Sequence, residues 1–236
     1  MQEEKEFIQE LLDPKTQNEA FQKLLHTYQR PLYHHIRNIV LNHDDTDDVL
    51  QNTFIKIFQN LKNFKGESKL FSWMYRIATN ESLTFIKQKA RKLKVSTQEL
   101  NTKSIDNLVS DVYFEGDEIQ LKLQKAIALL PTKQQLVFKM KYFEELKYEE
   151  IAAILNTSVG ALKASYHHAV KKIEALQEEK EFIQELLHPK TQNEAFQKLL
   201  QDYQKPLYHH IRNIVLNHDD ADDVLQNTFI DRKSVV

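Results

Sequence analysis

Apolar residues recur three and four positions apart along most of this chain, the spacing of one helical face. Phe21, Leu24, Leu25, Tyr28, Leu32, Ile36 and Ile39 form a first stripe. Pro31 lies inside it and predicts a kink or a fresh helix start. The NHDD stretch, residues 42–45, reads as a turn and helix cap, because Asn and Asp side chains accept from free amides. Val49, Leu50, Phe54, Ile57, Phe58 and Leu61 make a second stripe, residues 63–68 with Gly66 read as a loop, and a third helix is expected from about Leu70 to Ala90. Residues 92–117 are polar and lose the period, which predicts a linker. The helical pattern returns near Glu118 with Leu121, Leu123, Ile127, Leu129 and Leu130. Pro131 suits the first turn of a further helix, where no amide hydrogen is needed. Val137, Phe138, Met140, Tyr142 and Phe143 follow, then YEEIAAIL, an NTS break and VGALKASYHHAVKKIEAL.

The first part of this pattern occurs twice. Residues 2–55 return as residues 177–230, differing only at Asp13/His188, His26/Gln201, Thr27/Asp202, Arg30/Lys205 and Thr46/Ala221. The second copy stops before the loop and the third helix. Its apolar residues Phe196, Leu199, Leu207 and Ile211 are therefore expected to pack elsewhere or stay partly exposed. Residues 231–236 (DRKSVV) continue neither copy. They coincide with a translation of a common sequencing-adapter start, GATCGGAAGAGCGTCGTG, and are expected to be a non-native tail. The join near Leu176 is expected to be a chimera or a tandem pair.

Composition narrows the class. Only 3 Gly and 5 Pro in 236 residues argue against a turn-rich all-β protein. There is no cysteine, so no disulfide framework, thiol nucleophile or cysteine metal site exists. No apolar run approaches a membrane span, and the start MQEEKEF lacks a signal-peptide layout. The expectation is a soluble, cytoplasmic, all-α protein without membrane insertion or cofactor. Charge is segregated. Residues 1–55 hold 5 basic and 10 acidic side chains, whereas residues 56–94 hold 10 basic and 2 acidic, net +8. Two such blocks suggest two surfaces with different partners.

Three segments carry candidate chemistry. In Tyr148–Ile173, a small apolar helix, an Asn156–Ser158 turn and a second helix read as a helix-turn-helix. Val159, Leu162, Tyr166, Ala169 and Ile173 share its inner face, leaving Lys163, Ser165, His167, His168, Lys171 and Lys172 for a major groove. In FKGESKLFSWMYRIATN, residues 64–80, Phe71, Trp73 and Tyr75 interleave with Lys65, Lys69 and Arg76. Rings stack on unpaired bases while cations hold the backbone. Trp73 and Ile77 share a helical face that can be buried, which places Tyr75 and Arg76 on others. In DDTDDVLQNTFIKIF the first Asp residues favour a helix N-terminus. A metal-dependent hydrolase around His43–Asp48 is the competing reading. However, His43 has no second histidine at ligand spacing, so a charged helix docking on a protein is favoured. The adjacent pairs His34–His35 and His167–His168 point to different helix faces and are not read as metal sites.

In this order and spacing, the three segments resemble an extracytoplasmic-function RNA polymerase sigma factor of the sigma-70 family. HDDTDDVLQNTFIKIFQNL resembles its core-binding region, NFKGESKLFSWMYRIATNESL its promoter-melting region, and LPTKQQLVFKMKYFEELKYEEIAAILNTSVGALKASYHHAVKKI its −35-reading domain. The resemblance implies a region 2 domain over residues 1–92, a linker over 93–117 and a region 4 domain over 118–176. It implies a non-enzymatic initiation factor that binds core RNA polymerase and promoter DNA, with an anti-sigma factor as a further partner. Asp47, Asp48, Gln51 and Asn52 would then dock on the polymerase, although the family usually has an acidic residue where Asn52 stands. The loop Phe64–Lys69 (with Lys65) and Asn80 would accept a flipped −10 base. Trp73, Tyr75 and Arg76 would contact the melted strand, and Lys87, Lys89, Arg91 and Lys92 upstream phosphates. Lys163, Ser165, His167, His168, Lys171 and Lys172 would face the −35 element. Ser165 and His168 stand where many relatives have arginine, which weakens bidentate guanine readout. The linker would thread toward the polymerase cleft. A sigma-mimic that sequesters an anti-sigma factor without touching DNA is the alternative.

Overall fold

The computed structural model describes residues 2–64, 66, 68–106, 118–215 and 224–225. It falls into two compact units, residues 1–174 and 175–236. Among the described residues every regular element is helical.

The first unit opens with α1 (Gln2–Leu12) and α2 (Gln17–Val40). Helix α2 passes through Pro31 without ending, so of the kink or restart expected there the restart does not occur. Leu24, Leu32 and Ile36 on either side of the proline are fully buried, and that packing outweighs one lost backbone bond. Leu41 ends α2 in the left-handed region at φ 67°. Its side chain is buried, which offsets a conformation that a branched residue rarely adopts. Asn42 then caps α3 (His43–Asn60), its side chain accepting from Asp45 N at 2.9 Å, as the sequence predicts.

A short 3-10 turn (Leu61–Asn63) and a loop lead into α4 (Leu70–Leu93). Glu4 of α1 reaches the start of α4 and accepts from Leu70 N at 3.0 Å. The carboxylate satisfies one amide that the first turn leaves open and complements the positive helix end.

Residues 97–106, expected within a polar linker, form α5 (Thr97–Asp106) instead. Ser96 and Glu99 make a reciprocal capping box, with Ser96 N to Glu99 Oε2 at 2.8 Å and Glu99 N to Ser96 Oγ at 3.1 Å. Those bonds hold the exposed Glu99 carboxyl below its ordinary range. Leu100 and Ile105 are buried, which anchors the helix. Residues 107–117 lie outside the described set.

Helices α6 (Glu118–Ala128), α7 (Thr132–Tyr142), α8 (Tyr148–Leu155) and α9 (Val159–Leu187) follow. Asn156 ends α8 at φ 49°, where a short polar side chain tolerates the left-handed turn better than a branched one. The core is continuous across these elements. Val137, Met140, Ile151, Ile154 and Leu162 join the same buried cluster as Leu24, Ile57 and Met74.

In the second unit, α10 (Gln192–Val215) has the length of α2. Ala195, Ile211 and Leu225 are buried there. Of the four residues expected to pack elsewhere or stay partly exposed, Phe196, Leu199 and Leu207 are half-buried, while Ile211 packs with Leu225. Residues 216–223, most of the repeated acidic segment and the tail 231–236 lie outside the described residues.

Candidate nucleic-acid interface

Helix α9 presents a basic face because its apolar residues are used inward. Leu162 and Ala169 are buried and Tyr166 half-buried, packing with Phe138 of α7 at a ring separation of 5.7 Å. Burial, then the neighbouring Tyr148 and Tyr142, pushes the Tyr166 phenol above its ordinary value. Lys163, His167, His168, Lys171 and Lys172 stand exposed and Ser165 is half-buried, so these six candidates share one accessible surface. Lys163 also lies 5.8 Å over the Tyr148 ring. The turn before α9 is tightened by Thr157 N to Ala152 O at 3.2 Å.

Helix α4 carries the aromatic and basic candidates, and they divide. Phe64 is buried against the half-buried Trp73, ring centroids 5.1 Å apart. Lys69, Asn80, Lys87 and Arg91 are exposed, and so is Lys92. Lys65 lies outside the described residues. Two residues are held differently from the sequence expectation. Tyr75, expected away from the buried face, is only 5 % exposed. Its ring meets Phe71 at 4.1 Å and His35 at 4.6 Å, because α2 also covers that side of α4. Burial, with Glu144 and Tyr28 adding, pushes its phenol well above the ordinary value. Arg76 turns toward α8 and donates from Nε to the Ala153 carbonyl at 3.1 Å. Lys89 is ion-paired with Asp45 of α3 and sits 5.8 Å from the Phe85 ring.

On α3, Asp48, Gln51 and Asn52 are exposed and Asp47 half-exposed near His43, at 3.7 Å. The structure adds Ile55 and Phe58, 54 % and 41 % exposed, to this face. With Phe21, Leu25 and Gln51 they line an open groove of about 560 Å³ between α2 and α3. The signal for Ile55 lay in the sequence, as a large apolar residue off the buried stripe. Phe58 belongs to the apolar stripe that predicts burial, yet it is exposed and meets the edge of Phe21, ring centroids 4.9 Å apart.

Among the described residues no group of three or more His, Cys, Asp or Glu side chains is arranged to hold a metal. No described helix is long and apolar enough to cross a membrane.

A helix-turn-helix with a cationic outer helix, beside a helical bundle with an acidic and apolar outer face, defines a helical protein of the DNA-binding class. The Sigma-70 region 2 family matches residues 24–92, and Sigma-70, region 4 matches residues 120–173. Similar relatives are the ECF RNA polymerase sigma factor SigW of Bacillus subtilis and the RNA polymerase sigma-H factor of Pseudomonas aeruginosa. The first is 29 % identical over 161 residues, 65 % of this chain and 86 % of the relative. The second is 28 % identical over 163 residues, 66 % and 84 %. The ECF sigma-E factor of Escherichia coli K12 is 26 % identical over 173 residues, 68 % and 87 %. The fold is similar to that of the sigma factor RpoE of Bartonella quintana, solved with the anti-sigma factor NepR. There the TM-score is 0.50 at 19 % identity, covering 67 % of this chain and 96 % of that one. The two matches together span more than half of the chain, which belongs to the sigma-70 family.

Proposed function

We propose that this chain binds core RNA polymerase in the cytoplasm and directs it to promoters, reading a −35 element with α9 and capturing melted −10 bases with the start of α4. The proposal assigns region 2 to residues 1–92 and region 4 to 118–176. The carrying observation is the single accessible surface of Lys163, His167, His168, Lys171 and Lys172 on the second helix of a helix-turn-helix. Early residues of such a helix reach base edges and later cations reach phosphates. Trp73 beside Phe64, with exposed Lys69 at the end of the loop and exposed Asn80 further along α4, supports the base-capture role of α4.

Asp47, Asp48, Gln51 and Asn52 are the proposed polymerase contacts. Ile55 and Phe58 extend them with an apolar centre, the composition of a protein-docking patch. No covalent step is involved. Polymerase binding and stacking of unpaired bases offset the cost of opening the duplex.

In vitro transcription with purified core polymerase tests this reading. A promoter-dependent transcript is expected, weakened as salt rises because phosphate contacts release counterions. Absence of both core binding and transcript overturns it. Capture of an anti-sigma factor without transcript instead identifies a sigma-mimic.

A further inference from the structure

We propose that the cavity bounded by α2, α4, α5 and the turn between α6 and α7 is a binding site for a small organic monocarboxylate, its charged end on the buried Lys139 and its apolar body on Ile39, Ile86 and Leu136. The inference concerns a small-molecule site and does not depend on the sigma-factor reading above.

Size and shape come from the walls. The cavity holds about 200 Å³. An engineered cavity of roughly 150 Å³ takes up benzene, so a body of about that size with a carboxylate attached fits here. The floor is apolar, since Ile39, Ile86 and Leu136 belong to one buried cluster. Gln135 Nε2 donates to Leu130 O at 2.8 Å and to Ala128 O at 3.2 Å, which fixes the turn between α6 and α7. The Ser96–Glu99 capping box sets the start of α5, where Thr97 and Asn101 supply a polar rim. Walls fixed in this way spare a ligand part of the ordering cost of binding.

Charge comes from two lysines of the lining. Lys139 and Lys87 border the cavity, and among the described residues no Asp or Glu does. Lys87 is exposed and stands at the rim, whereas Lys139 is 4 % exposed and lies in the seam between α7 and α2. An ammonium has three hydrogens to donate. Lys139 gives one to the Asn38 carbonyl at 2.7 Å, and among the described residues that is its only hydrogen-bond partner. Glu144, which acts on Lys139 through its field, is ion-paired with His35 at 2.9 Å. Burial lowers the Lys139 amine to about 8, so it is still mainly cationic at neutral pH. A buried cation held by one neutral carbonyl is costly. A carboxylate offsets that cost with a charge-assisted bond of its own. One buried charge above an apolar floor suits a monoanion. A phosphate dianion would bring more charge and more acceptors than these donors can satisfy.

Benzoate is the probe, titrated into the full chain at pH 7 and followed by calorimetry. One saturable site is expected, with a Kd of about 1 mM or tighter. Benzamide, which keeps the shape and removes the charge, is expected to bind at least tenfold more weakly, and Lys139→Met is expected to weaken benzoate by the same factor. Amide hydrogen exchange is expected to slow in α5 and α7 when benzoate is bound. If Lys139→Met loses helical circular dichroism, the comparison of benzoate with benzamide, which needs no variant, is read in its place. No saturation by about 10 mM benzoate, ten times the expected Kd, means that the cavity takes water only and overturns the site. Equal binding of benzamide, unchanged binding in a folded Lys139→Met chain, or slowed exchange confined to other helices overturns it as well.

Discussion

Lys139 shows how one residue ties a seam to pH. Its amine is buried, and burial pushes it down to about 8 against the upward pull of Glu144. Unfolded, it returns toward 10.5. Between those values the unfolded chain binds a proton that the folded chain lacks, so stability rises with pH, by up to ~1.4 kcal/mol per unit. Tyr28, Tyr75 and Tyr166 act in the opposite sense, because burial raises each above its ordinary value of 10. Above pH 10 the unfolded chain loses phenolic protons that the folded chain keeps, and stability falls. Urea unfolding from pH 7 to 11 is expected to give a maximum near pH 10. Lys139→Met is expected to flatten the rising limb and leave the falling one. A rising limb unchanged by that substitution would remove Lys139 as its source. None of this was legible in the sequence, where Lys139 is one of four lysines among residues 133–147. Its burial depends on a helix a hundred positions away.

At the scale of elements, legibility followed periodicity. The face of α9 and the cap at Asn42 were read correctly because each depends on residues within one or two turns. Helix α5 was missed because only Leu100 and Ile105 of its residues are buried apolar anchors, too few to draw a stripe. The missed signal was Ser96 followed three residues on by Glu99, a helix start written in polar side chains. Ser96→Ala is expected to cost about 1 kcal/mol and to speed amide hydrogen exchange at the start of α5, with α4 unchanged. Uniform loss of protection across the first unit would mean that α5 unfolds only with the whole. The buried side of Tyr75 was missed for a different reason. Helical spacing gives the faces of α4, but α2 and the elements beyond α5 decide which are covered.

At the scale of the molecule, the repeat is a natural experiment on what a sequence alone determines. The joint after each copy of the first helix is the same: Thr16 Oγ1 donates to Glu10 O at 2.8 Å, and Thr191 Oγ1 to Glu185 O at 2.8 Å. The helices α2 and α10 also share their length. Burial is not shared. Leu24 and Leu32 are fully enclosed in the first unit, while their counterparts Leu199 and Leu207 are half-buried. Local bonds travel with the segment, but the enclosure does not: among the described residues no counterpart of α4 follows α10. Without that layer the apolar area removed from water is too small to stabilise a cooperative fold. A chain ended after Leu176 is therefore expected to keep the unfolding midpoint of the first unit within a few degrees and to bind core polymerase undiminished. Residues 177–236 alone are expected to melt broadly, without a cooperative transition. Circular dichroism melts of the two pieces and a core-binding titration of the longer one read these outcomes. A weakened titration would instead make the repeat a working part of the docking surface, since it repeats the sequence of α2 and that of α3 as far as Ile55.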